Sequence, residues 1–387
     1  MKASLILLAL AGSIYLGDTE KILQTANKNV TTGAAVNVKL LTENELYRKL
    51  VEKEYNSLTP ENAMKMASLQ PREGSFEFSN TTALEDLALN AGKKRIHGHT
   101  LIWYRSLPQW VKNWETQALP SGMTRAQKMD SVMSIHIRTV ISHYDNPSSI
   151  YKDDLGKPLL KSWDVVNEAF DDNGNYRALP EASNQENGGS IWYRTIGKSY
   201  IKKAFTYART TAEKNGDTGL KLFYNDYGHD YSVKKLDSIY KMAMALKQVK
   251  VNGKPIIDGI GMQFHININT SVENIKNALI KMKSTGLLIH ISELDISLNK
   301  AGLPFPTEIL AIQKQKYKDV ALLYRKYVPA NQRWGITLWN VGDQDSWLTY
   351  KGSDQVDAAC LFDLNYQRKP AFFNFYDGLK LDIPAGY

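Results

Sequence analysis

The chain has 387 residues, of which 43% are hydrophobic and 23% charged; this excludes wholesale disorder and leaves room for one large α/β barrel or two ordinary domains. Its single cysteine, Cys360, excludes an internal disulfide framework and a multi-cysteine zinc site. The net charge of +8, from 48 basic against 40 acidic residues, is scattered rather than gathered in an arm or stripe, so no nucleic-acid partner is expected.

Met1-Lys2 opens the chain and is followed by the apolar run Ala3 to Ala11, with small residues at Ala9, Ala11 and Ser13. A positive start, a short apolar stretch and small residues read as a secretory signal over residues 1–16, with one domain over 17–387 and a secreted or periplasmic location. The run is far short of the roughly 20 residues that span a bilayer, and no later segment is a candidate, so no membrane association is expected.

From residue 31 the chain repeats a short apolar stretch ending in polar residues, then a helical segment. The predicted strands are Thr31 to Asn37, Ser57 to Thr59, Arg95 to Trp103, Lys161 to Glu168, Lys221 to Tyr227, Gly259 to Ile266, Leu288 to Ile296 and Trp334 to Val341. Between them, Thr42-Glu43-Asn44-Glu45 has the form of a capping box. Gly216 and Gly286 stand where helix C-caps are expected. Ile309, Ile312, Val320, Leu323 and Tyr327 recur at spacings that predict one buried helix face. The stretches Trp110 to Leu160 and Asp171 to Gly189 read as insertions or loops. Eight strand–helix units without a linker predict a single (β/α)₈ TIM barrel in the α/β class. The turn after the first strand, Gly33-Ala34-Ala35-Val36-Asn37, lacks the G-x-G-x-x-G pattern of a doubly wound sheet, and no such pattern or Walker-type loop occurs, so no nucleotide cofactor is expected.

Barrel chemistry gathers at the C-terminal ends of the strands. Read in order, those ends carry Glu61, Asn62 and Lys65; His99 and Trp103; Asn167 and Glu168; Asn225, Asp226 and Tyr227. They continue with Gln263 and His265, Glu293 and Asp295, and finally Trp339, Asp343 and Trp347. Glu168 and Glu293 lie three strands apart in a ring of eight, so they can face each other across the mouth. Opposed carboxyl groups suit glycosidic hydrolysis, one protonated to assist the leaving oxygen, the other ionised. The charge of one is expected to raise the pKa of the other. Adjacent residues on a strand point to opposite faces, so Asn167 and Glu168 can share a site only if the fourth strand bends or bulges at its end.

With Leu58 to Lys65, Gly98 to Trp103, Trp163 to Glu168, Asn225-Asp226-Tyr227, Gly261 to His265 and Ser292 to Asp295 in order, and the pair Trp339 and Trp347 beyond, the chain resembles glycoside hydrolase family 10, the retaining endo-β-1,4-xylanases, over roughly residues 31 to 375. The resemblance implies xylan and xylo-oligosaccharides as substrate; no cofactor is expected, and a monomer is expected. It implies Glu168 as acid/base and Glu293 as nucleophile. Asn167 would bond the 2-hydroxyl of the −1 sugar, His265 would orient the nucleophile, and His99 and Lys65 would contact hydroxyls there. Glu61 and Asn62 would grip the −2 sugar; Gln263, Tyr227 and Trp103 would line the cleft; Trp339 and Trp347 would wall the glycone side. After Trp103 the family usually continues His-x-Gln, where this chain has Tyr104-Arg105-Ser106, and after Trp339 the usual glycine is Asn340, expected to add bulk near the glycone wall.

The His97-Gly98-His99 pair also suggests a metal-dependent amidohydrolase, with His265 and Asp343 as later ligands; the pair lies on the third strand rather than the first, so no metal is expected. His97, Trp163, Asp226 and Asp295 are expected to support the site from beneath, and Trp110, Trp114 and Trp192 to contact no sugar. A lectin-like binder would have lost one of the two carboxylates. The nearest rival enzyme is an endo-β-1,4-glucanase, which Trp347 would disfavour by crowding the hydroxymethyl group on C5.

Overall fold

The computed structural model describes residues 20–92, 94–113, 116, 118–178, 188–298, 305–349 and 357–383; the signal expected over residues 1–16 and Trp114 lie outside them. Eight parallel strands form the barrel: β1 (Thr32–Val36), β2 (Ser57–Pro60), β3 (Arg95–Gly98), β4 (Leu160–Asn167), β5 (Lys221–Asp226), β6 (Gly259–Met262), β7 (Leu288–Ser297) and β8 (Arg333–Leu338). Each pairs with the next and β8 pairs with β1, so the sheet closes on itself. Strands facing both the barrel interior and the helix ring must be apolar throughout, and β1, β2 and β5 to β7 are almost wholly buried.

All eight predicted strands are present, with changed ends. β3 stops at Gly98, yet the chain stays against β4, with Leu101 N donating to Asp164 O (3.0 Å) and Ile102 N to Val165 O (3.1 Å). The sixth segment breaks after Met262 because Phe264 takes φ +55°, and resumes as a short strand, His265–Asn267, beside the end of β7.

Helix positions differ more. Trp110 to Leu160 is not mainly a loop: it contains the barrel helix Arg125–Tyr144, opened by a capping box of Thr124 and Gln127. The box expected at Thr42 does not form. Thr42 lies in the last turn of Val38–Glu43, its hydroxyl donating to Lys39 O, and Asn44 caps the next helix by accepting from Tyr47 N. In the helix Thr307–Tyr327 the buried stripe runs through Gln313, Tyr317, Val320 and Tyr324, leaving Ile312 exposed. Gly216 and Gly286 do follow helix ends, at φ +81° and +70°.

The helix Pro370–Lys380 returns beside the start of the described chain. Lys21 pairs with Asp377 (3.2 Å) and Asn27 Nδ2 donates to Leu379 O (2.7 Å). Buried Glu54 accepts from Leu23 N (2.9 Å) and from Arg368 (2.5 Å) on the same side. Among the described residues no helix is long and apolar enough to cross a membrane.

Candidate active site

A cavity of about 550 Å³ opens at the C-terminal ends of the strands. All thirteen residues expected at the site line it: Glu168 and Glu293, with Glu61, Asn62, Lys65, His99, Trp103, Asn167, Tyr227, Gln263, His265, Trp339 and Trp347. Tyr104, Arg105, Asp172 and Tyr231 also line it and were not among the expected contacts.

The end of β4 supplies two of these side chains together. The register against β5 shifts between Asp164 and Val166, and Glu168 then takes φ +53°, unusual for a residue with a Cβ. This is the bend the strand needed for Asn167 and Glu168 both to face the cavity. Glu168 N donates to Asn225 O (2.9 Å), Ala169 N to the Tyr224 hydroxyl (3.0 Å), and Arg177 Nε to Glu168 O (2.9 Å).

A network of amides joins the carboxyl groups. Asn167 Nδ2 donates to Glu168 Oε1 (3.2 Å) and Gln263 Nε2 to the same oxygen (3.1 Å). Asn225 Nδ2 donates both to Asn167 Oδ1 (3.0 Å) and to Glu293 Oε1 (2.6 Å), while Asn225 Oδ1 accepts from the Ser292 hydroxyl (2.6 Å). Asn225 reaches across only because Gly261 on β6 has no side chain; a Cβ there would stand 2.2 Å from Asn225 Oδ1. The other oxygen of Glu293 lies 3.2 Å from His265 Nε2, and His265 Nδ1 lies 2.7 Å from Asp295 Oδ2. Burial pulls the imidazole pKa down, but Asp295 and Glu293 outweigh it and push it up to about 10. Glu293 therefore faces an imidazolium.

The surroundings of Glu168 differ from expectation. Burial raises its pKa, but the Arg177 charge, the Gln263 bond, Lys235 and Arg105 together hold it below the usual value. Repulsion from Glu293 does not dominate, because cations from three separate segments stand nearer in effect. Lys65 is shifted the other way: burial lowers its pKa, opposed by Glu293, Glu61 and Glu168. Its ammonium bonds Asn62 Oδ1 (2.9 Å) and lies 5.0 Å from the Trp103 ring.

Indoles form the opposite wall. Trp339 meets His99 edge to face at 5.3 Å, and Trp347 tilts against His265 at 4.8 Å. Trp347 Nε1 donates to Asp295 Oδ2 (2.7 Å) and its backbone N to Asn340 Oδ1 (2.9 Å). Asn340 sits at φ +69°, a conformation that asparagine tolerates better than most residues, and is buried. It is not among the lining residues, but it braces Trp347 from behind and its side chain also interacts with Glu61, which lines the cavity.

The supporting residues lie beneath. Asp164 stands 2.9 Å from His99 Nδ1 and 3.1 Å from His97 Nε2, and Asp226 pairs with buried Lys235 (2.8 Å). Trp163 is fully buried against Gly98, where a Cβ would stand 2.3 Å from its ring. Trp110 Nε1 bonds Gln70 O and Trp192 Nε1 bonds Trp103 O, so neither indole faces the cavity. Among the described residues no group of three or more His, Cys, Asp or Glu could hold a metal. Asp343 is engaged with Lys369 and Cys360 N, away from the histidines.

Sequence reasoning missed Arg177 and passed over Asn225 as a site residue. Asn225 carried a signal, since it ends a barrel strand. Arg177 carried none, because it lies in an irregular stretch and reaches the site only through the fold.

The model of glycosyl hydrolase family 10 matches residues 21–377. Endo-1,4-β-xylanase A of Thermoanaerobacterium saccharolyticum is 35% identical over 351 residues, covering 90% of this chain and 27% of that protein. Endo-1,4-β-xylanase A of Caldicellulosiruptor saccharolyticus is also 35% identical, over 88% of this chain and 91% of its own length. The solved complex of a glutamate-to-alanine mutant of an intracellular xylanase from Thermoanaerobacterium saccharolyticum with xylotetraose superposes with a TM-score of 0.76, at 33% identity, over 93% of this chain and 99% of that one. The chain spans about a quarter of the length of two of the curated relatives it matches and 60% of a third.

Proposed function

Because the chain belongs to glycosyl hydrolase family 10, we propose that it is a retaining endo-β-1,4-xylanase with Glu168 as acid/base and Glu293 as nucleophile. The observation that carries this reading is the pair of buried carboxyl groups joined by the Asn167–Asn225 amide network, with Glu293 held between Asn225 and an imidazolium.

In the first step protonated Glu168 donates to the departing glycosidic oxygen while Glu293 attacks the anomeric carbon, forming a glycosyl ester. The ester is neutral, and Glu168, now ionised, draws a proton from the water that hydrolyses it. The cations around Glu168 favour that base role. Retention calls for carboxyl groups about 5–5.5 Å apart. Asn167 is offered to the 2-hydroxyl of the reacting sugar, Lys65 and His99 to neighbouring hydroxyls, and Glu61 and Asn62 to the next sugar on the glycone side. Trp339 and Trp347 pack the apolar sugar faces, and Gln263, Tyr227 and Trp103 complete the lining. Action as a monomer is part of the same proposal, and sedimentation tests it. The positive, apolar N-terminus supports export; N-terminal sequencing of protein from culture fluid tests that.

Digestion of xylan and of β-glucan in the presence of a chelator, with product sizes and anomers followed over time, tests the reading. Expected are short xylo-oligosaccharides from internal cleavage, β-anomers first, and no loss to the chelator. An α-anomer first, or turnover of β-glucan in preference to xylan, would overturn it.

A further inference from the structure

We propose that Arg177 is the positioning residue for Glu168, fixing the strained peptide that aims the carboxyl into the cleft and lending it positive charge. The inference rests on the acid/base role proposed above for Glu168. A residue with a Cβ held at positive φ costs about 1–2 kcal/mol, and such a conformation persists where its surroundings over-determine it. Two of the three bonds around the Glu168 peptide come from β5, through Asn225 O and the Tyr224 hydroxyl. The third is the Arg177 Nε bond to the Glu168 carbonyl (2.9 Å), and no other hydrogen bond to that carbonyl is found among the described residues.

The guanidinium is itself locked. It is almost fully buried, its Nη2 donates to the Tyr227 hydroxyl (2.7 Å), and its carbon lies 4.3 Å from the Tyr104 ring centre and 5.8 Å from that of Tyr227. Cation–ring contacts of this kind strengthen when water is excluded. Tyr104 is one of the residues that depart from the usual family motif, and the ring it supplies is the nearer face of this clamp. Arg177 is returned to the site by its own segment: Phe170 and Tyr176 form an antiparallel bridge, and Arg177 N bonds Ala169 O (3.3 Å).

Other charges also face Glu168. Arg105 follows Tyr104 after β3, Lys65 follows β2, and Lys235 lies on the helix Val233–Gln248. Asp226 at the end of β5 and Glu293 on β7 are the carboxylates on that side, and the phenols of Tyr104 and Tyr227 complete the shell. Arg177 differs from all of these in bonding the Glu168 backbone as well as acting on its charge.

The test compares Arg177→Lys, Arg177→Gln and Tyr104→Leu with the parent chain on xylan and on a dinitrophenyl β-xylobioside. The activated glycoside needs no acid in its first step. Both Arg177 variants are expected to lose about 10- to 100-fold in kcat/KM on xylan, mostly in kcat, while the first step on the activated substrate falls less than about threefold. In Arg177→Gln the alkaline limb of the kcat/KM profile on xylan moves up by about one pH unit, because the acid holds its proton longer, and the acid limb stays. Lysine restores the limb but not the rate. Equal losses on the two substrates, or an unmoved alkaline limb in Arg177→Gln, would overturn the proposal. Should that variant fail to fold, Tyr104→Leu carries the same comparison with smaller changes, and equal losses there overturn it likewise. Turnover of xylan by the parent chain reports on the proposed function; only the ratio between substrates in the variants reports on Arg177.

Discussion

Asn225→Asp isolates what the amide network does for Glu293. The two side chains have the same shape, so the space opened by Gly261 is still filled and the Ser292 hydroxyl still has an acceptor. What changes are the contacts of Nδ2 with Glu293 Oε1 (2.6 Å) and Asn167 Oδ1 (3.0 Å), where an N–H donor becomes an oxygen. Loss of a hydrogen bond to a charged group costs about 1.5–3 kcal/mol, or roughly 10- to 150-fold in rate if the bond holds the nucleophile in its reactive geometry. A second effect is larger. Two carboxylates about 4 Å apart in a protein environment repel by about 4 kcal/mol, equivalent to about three pK units for the pair. The pair then keeps one proton to higher pH, so the acid limb of the kcat/KM profile rises by about 2–3 units. The assay is kcat/KM on xylan and on an activated aryl xylobioside from pH 4 to 9, with thermal unfolding as the control for folding. Because the nucleophile serves both substrates, both should lose equally. An acid limb that stays in place in a folded variant would refute the reasoning, and so would a loss confined to xylan.

Glu168→Ala should lower xylan turnover by about 10²- to 10⁴-fold while sparing the first step on the dinitrophenyl substrate; equal losses in pre-steady-state bursts would contradict the division of labour. Trp347→Ala should raise the ratio of cellobioside to xylobioside hydrolysis, because the indole no longer crowds C5, and an unchanged ratio of kcat/KM values would remove it from the wall. Asn340→Gly keeps a backbone free to hold φ +69° and loses the bond to Trp347 N, so it should cost about 1 kcal/mol in denaturant unfolding. Asn340→Ala adds the strain of a Cβ at positive φ and should cost more; the opposite order would show that the conformation is not what selects this residue.

The barrel and the rim of the site were legible because both follow from a local rule. Apolar stretches of strand length ending in polar residues mark the strands, and the residues at their C-terminal ends must share one mouth once the sheet closes. That rule placed Glu168 and Glu293 in one cavity across 125 positions of sequence. Local signals failed where two candidates competed. Thr42 and Asn44 both offer a cap, and Asn44 took it because Thr42 is already inside the preceding helix. They failed again where charge sums in space. Arg177, Lys235 and Arg105 come from three segments, and only the fold shows that together they outweigh burial at Glu168. Asn340 is intermediate: the departure from glycine was visible, but not that its side chain turns toward the backbone of Trp347.

The ties between the segment around Lys21 and the helix Pro370–Lys380 have a consequence for stability. The last turn of that helix meets the stretch that leads into β1, through Asp377 and the Leu379 carbonyl. Asn27→Ala should therefore ease unfolding while leaving turnover at the mouth unchanged.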